Sequence, residues 1–138
     1  TTVTSAGMIN GKYVTGLTAQ TNTATPTTDA TTGVAFKALT DNKATVLVIG
    51  QKADGTIQMS QGGIVDTEVG ITTTAGAFKL APAFPALPDD FMVLGYNLVR
   101  TAPSASDFTP GTSSWTATGI TASEFVQCGV LPKQPQTS

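Results

Sequence analysis

With no histidine among its 138 residues, the chain lacks the commonest general base, any Ser-His-Asp or Cys-His arrangement, and the usual ligand of zinc and copper sites. The chemistry left open belongs to paired carboxylates, which flank the scissile bond in glycoside hydrolysis. Two pairs have suggestive spacing, Asp89-Asp90 and Asp66/Glu68. Adjacent Asp89 and Asp90 would point to opposite faces of a strand. They also stand just before the longest apolar run, where acidic residues make a turn and guard a sticky strand. Asp66 and Glu68 would share a strand face, but no basic or aromatic subsite lies close to them in sequence. Calcium-loop spacing, a glycine-rich phosphate cradle after a strand, and Gly-x-Ser-x-Gly are all absent. Cys128 stands alone between Gln127 and Gly129, with only Lys133 as a nearby cation, so it reads as a small strand residue that cannot form an intrachain disulfide. A lone cysteine suits synthesis in a reducing cytoplasm. The expectation is a chain without catalysis, cofactor or metal.

Aromatic residues offer a second kind of site. Phe108 and Trp115 lie in a Ser/Thr/Pro/Gly-rich excursion over 102–124, and loops this long usually bind something. They suit either a sugar-stacking platform or anchors that hold the loop to its own domain or to a neighbouring subunit. The anchor reading is the expected one.

Strands must position all of these residues. Only 12% of the chain is charged, about half the roughly 25% usual in soluble proteins, and 26 threonines cover the surface instead. Threonine is β-branched and fits pleated surfaces, while 14 Gly and 8 Pro interrupt any long helix. Ala44–Lys52 and Thr56–Gly62 flank Ala53-Asp54-Gly55, and Asp-Gly between β-prone runs predicts a hairpin with positive φ at both central residues. In its second arm Ile57 and Met59 alternate with Thr56, Gln58 and Ser60, which predicts one buried face and one wet face. Val34–Leu39, Phe91–Thr101 and Phe125–Leu131 read as further strands and Ile64–Val69 as a short strand or loop, with Gly95 at a bulge or a close backbone approach. Pro82, Pro85 and Pro88 suit an extended connector, and the tail Gln136-Thr137-Ser138 is expected to add nothing to the core.

These features predict an all-β fold, a small antiparallel β-barrel or sandwich over residues 33–138. Residues 1–32 form an extended Thr-rich N-terminal arm. Thr18–Thr32 has almost no large apolar residue and cannot offset its ordering entropy alone, so the segment reads as a disordered tail or, the favoured reading, as an arm that orders only against another subunit. Met8, Ile9, Tyr13, Val14 and Leu17 would be its anchors. A net charge of −2 with seven scattered basic residues argues against nucleic acid. No apolar run reaches the roughly 18 residues of a membrane span, and the Thr1-Thr2-Val3-Thr4 start lacks the features of a signal peptide.

Three stretches resemble small structural proteins of tailed phages: Gly50–Ile57 with Gln61-Gly62; Phe84–Phe91 running into Gly95–Arg100; and Trp115–Thr121 with Leu131–Gln136. The likeness spans about residues 33–137 and rests on turns and strand ends. The class it points to is capsid decoration (cement) or other small virion structural proteins. It implies a β-barrel-like domain, often a homotrimer, on the outer capsid surface of the virion, bound to the major capsid protein and without an active site. The rival expectation is a phage fibre, receptor-binding or tail structural protein.

Overall fold

The computed structural model describes residues 4–9, 12–18 and 24–137, the side chains of residues 4–5 and 16–18 excepted. The described chain is all-β, with two antiparallel sheets and no helix. Strands β1 (Thr4–Ile9) and β2 (Lys12–Thr18) form a separate two-stranded sheet. The larger sheet contains β3 (Lys43–Gln51), β4 (Ile57–Gln61), β5 (Val65–Asp66), β6 (Met92–Thr101), β7 (Ile120–Ala122) and β8 (Val126–Gln127). Its order is β4-β3-β6-β7, with β5 also on β3 and β8 also on β6. The sheet stays open, so of the two expected architectures the sandwich fits and the closed barrel does not.

The centre of the fold is the β3–β6 pair. Ala44 to Val48 are fully buried, as a continuous β-prone run should be when both faces of its strand are covered. Register places Leu47, Ile49, Met59 and Val99 on one face and Val46, Val48, Tyr96 and Leu98 on the other. The first face is covered by Phe36, Leu39 and Phe108, with Trp115 and Ile120 packed against them. Over the second lie Phe78, Phe84, Leu87 and Phe91, joined by Val126, Cys128 and Leu131. Both covers are mainly irregular chain. The proline-spaced connector supplies Phe84, whose ring meets Tyr96 edge-on with centroids 5.1 Å apart.

The β3–β4 hairpin forms where expected, but its turn differs. The loop has three residues, closed by Gly55 N–H to the Lys52 carbonyl and Lys52 N–H to the Thr56 carbonyl, each at 2.9 Å. Within this turn only Gly55 takes positive φ, at 90°. The Asp54 carboxylate accepts the Thr56 N–H at 2.9 Å, so Asp54 serves the turn through its side chain. Those bonds from Thr56 hold the Asp54 carboxyl below its ordinary value.

The expected wet face of β4 is also buried, because polar partners arrive from elsewhere. Gln58 donates to the Asp90 carbonyl at 2.6 Å, and Ser60 donates to the Asp29 carboxylate at 3.0 Å. Gly95 lies beside a bulge, as anticipated, and also meets β8 closely: a Cβ built there would sit 2.3 Å from the Val126 carbonyl oxygen. The C-terminal tail contributes after all, since Gln136 N–H donates to the Tyr96 hydroxyl at 3.1 Å.

The segment read as an arm carries two kinds of order. Residues 28–31 lie along the outer edge of β4: Ala30 N–H donates to the Met59 carbonyl at 2.9 Å, and Asp29 accepts from Thr31 N–H, Ser60 Oγ–H and Gln61 N–H. Farther along, Lys37 N–H donates to the Gln61 side-chain oxygen at 2.8 Å, and the Gln61 amide donates to the Lys37 carbonyl at 2.9 Å. These bonds occupy an edge that would otherwise invite another chain. Before them, the β1–β2 hairpin packs on the end of β6 through Ile9 and Met92, with Val14 and Leu94 against that cluster.

Candidate functional site

The β1–β2 hairpin is amphipathic because register assigns its side chains to opposite faces. Gly7 pairs with Val14 and Ile9 with Lys12, and this face turns toward β6. Gly7 has a local reason to be glycine: a Cβ there would sit 2.1 Å from the Met92 sulfur, which instead lies against the hairpin backbone. Met8 pairs with Tyr13 on the other face, and these two large side chains are 58% and 65% exposed. Methionine adapts to irregular surfaces, and tyrosine supplies rigid area with a polar tip. Such a pair can anchor a protein contact.

The seven sequence-predicted contact residues therefore divide. Met8 and Tyr13 stand together in solvent, while Ile9 is buried and Val14 half-buried beneath them. Leu17 belongs to β2 opposite Ser5, and its side chain lies outside the described residues. Phe108 is fully buried in the core, where its backbone exchanges hydrogen bonds with Leu39 at 2.8 and 2.9 Å. It offers no surface to a partner. Trp115 is half-buried, with its ring edge-on to Phe108 at 5.4 Å between centroids. Trp115 also borders an open groove of about 380 Å³ with Ile49, Ile57, Met59 and Asn97. The long excursion is thus pinned to its own domain by both aromatics.

One member of each candidate carboxylate pair, Asp66 and Asp90, has a structural partner. Asp66 forms an ion pair with Lys43, whose hydrogen bond and charge hold the Asp66 carboxyl below the ordinary range. Asp90 accepts the Ala53 N–H at 3.0 Å and so buttresses the β3–β4 turn. Among the described residues, no three His, Cys, Asp or Glu side chains are grouped to hold a metal ion. The Cys128 thiol is half-buried in the second core cluster, and desolvation raises its pKa.

Sequence reasoning missed two features. Asp29 is a buried acid whose partners on β4 lie 31 and 32 residues away, and no local pattern announces it. Val69 and Ile71 are exposed on the loop over 67–78, closed by a hydrogen bond from Glu68 N–H to the Ala77 carbonyl at 2.9 Å. A Thr/Gly-rich turn gave only its loop character. No family model matches this chain, and neither a curated protein nor a solved structure does.

Proposed function

We propose that this chain is a non-catalytic virion protein that decorates the outer surface of a tailed-phage capsid and binds the major capsid protein. The observation that carries the reading is the β1–β2 hairpin, which fastens to β6 by one face and holds Met8 and Tyr13 outward on the other. A two-stranded ribbon is marginal alone and leaves unpaired backbone donors and acceptors at its edges. Those edges can add main-chain hydrogen bonds to a neighbouring sheet, with Met8 and Tyr13 filling pockets beside it. The resemblance read from sequence motifs in residues 33–137, to decoration and other small virion structural proteins, points the same way.

The mechanism is mass action. A protein that binds the expanded shell and not its precursor stabilises the shell at each site by an amount that rises with the logarithm of one plus the ratio of free protein concentration to Kd. As a homotrimer on a local three-fold axis it would engage three capsid subunits at once, and effective concentration would strengthen modest single contacts. The receptor-tip alternative is less favoured, because Phe108 is consumed by the core and the groove beside Trp115 is lined mainly by aliphatic side chains.

Copy number in purified particles tests the proposal. Decoration requires hundreds of copies per virion, whereas a tail ring or fibre requires about three to twelve. A count in the lower range, or purified protein that fails to saturate capsids lacking it, would overturn the reading.

A further inference from the structure

Arg100 is the chain's single arginine, and it sits partly buried on β6 in a pocket of about 340 Å³. Two contacts fix its guanidinium. One face lies over the Phe78 ring, 5.1 Å from the centroid, and Nη1 donates to the Gly76 carbonyl at 2.8 Å. No carboxylate among the described residues forms an ion pair with it, and its Nε and Nη2 have no hydrogen-bond acceptor there. A guanidinium carries five donors in a planar fork matched to a carboxylate. Here the fork is held in place with one edge unused.

The rest of the pocket narrows the ligand. Leu98, Phe78 and Val126 give apolar wall, Thr121 contributes to the lining, and Glu124 places a negative charge in the same lining. Arg100 is the only cation in the lining and Glu124 lies in it too, so the free guanidinium edge matches the two oxygens of one carboxylate, whereas the further charged oxygen of a dianion would find no second cation. We infer that this pocket binds a monocarboxylate carried on a short apolar body, its two oxygens on the free edge of Arg100 and its body against Leu98 and Val126. This inference is independent of shell decoration.

The same chemistry occurs in a free organic acid and in an aspartate side chain of another protein. Benzoate represents the first and N-acetyl-aspartate amide the second. The lone arginine gives one side-chain Nε–H resonance, so a ¹⁵N-resolved NMR titration of the intact protein reads the site directly. A saturable shift of that resonance and of amides 121–126 is expected with at least one probe, and the tighter probe identifies the source. Neutral benzamide should bind at least about tenfold more weakly than benzoate, since it lacks the charge-assisted bonds. Phenylphosphonate dianion should also bind more weakly than benzoate and recover on Glu124→Gln. Arg100→Gln should abolish the saturable response. If neither carboxylate saturates, if benzamide matches benzoate, or if phenylphosphonate binds tighter in the unaltered protein, the inference fails. The ligand comparison needs no variant, so it decides the matter even if Arg100→Gln does not fold.

Discussion

Asp29 shows how much one buried side chain can determine. Its two oxygens accept from Thr31 N–H, Ser60 Oγ–H and Gln61 N–H, tying the N-terminal segment to the edge of β4. Asp29→Ala should cost about 3 kcal/mol, because it removes charge-assisted bonds and leaves buried donors without an acceptor. Asp29→Asn, which keeps one acceptor oxygen, should fall between the two proteins in urea denaturation. A neutral result for the alanine variant would mean that water replaces the carboxylate without loss. Asp66 belongs to the other extreme. Lys43 lowers its folded pKa, so the pair stabilises above the ordinary carboxylate value and loses that contribution as pH falls through the lowered folded value. Both partners are substantially exposed, so salt screens the pair. Asp66→Asn should therefore lower Tm slightly at pH 7 in low salt, and not at all in strong acid or high salt. A variant that melted equally early under all three conditions would assign Asp66 a role beyond the ion pair.

At the scale of elements, β3, β4 and β6 were legible because long apolar runs and an Asp-Gly turn are strong local signals. The turn's shape was not, because Asp-Gly is compatible with both two- and three-residue loops, and the Asp54 side-chain bond selects the longer one. Gln58 and Ser60 looked solvent-facing because their partners, Asp90 and Asp29, come from distant segments that no periodicity links to β4. The two irregular covers were hidden for a related reason: Pro-, Ser- and Thr-rich chain carries no repeat, however well it packs. Among the candidate contact residues, sequence could not separate the exposed Met8 and Tyr13 from the buried Ile9 and Phe108, since burial depends on the register and packing of elements. Gly95 allows a direct test of element packing. Gly95→Ala places a methyl group against the β8 backbone and should destabilise by about 1–3 kcal/mol. The amide of Cys128, which donates to the Leu94 carbonyl at 3.1 Å, should lose exchange protection in the same variant. Unchanged protection would show that β8 can shift without cost.

For the whole molecule, the proposed role turns on surface. A chain with 12% charged residues and an outward Met8–Tyr13 pair presents unusually little charge to a neighbour. Met8→Glu with Tyr13→Glu should leave the fold intact, because neither side chain enters the core, and should reduce capsid occupancy at least about tenfold by desolvating charge at the contact. Removing residues 2–22 should do the same while sparing Asp29 and its bonds to β4. A deletion extending through residue 32 would remove that tether as well and confuse unfolding with lost binding. Full occupancy by the double variant would transfer the contact to another surface, with Val69 and Ile71 the next candidates.

The β3–β6 ladder joins Ala44 to Arg100 and Gln51 to Met92, so the centre of the protein cannot form until the intervening chain has looped back. Local turns can assemble β3 and β4 early, but the Thr45–Ile49 run stays uncovered until β6 and both irregular layers arrive. Loop closure of this kind slows folding toward milliseconds or seconds, and an uncovered β-branched strand is sticky meanwhile. Refolding yield should therefore fall steeply with protein concentration while the native protein stays soluble, and dilution-jump light scattering will reveal whether newly made chains must outrun their own association.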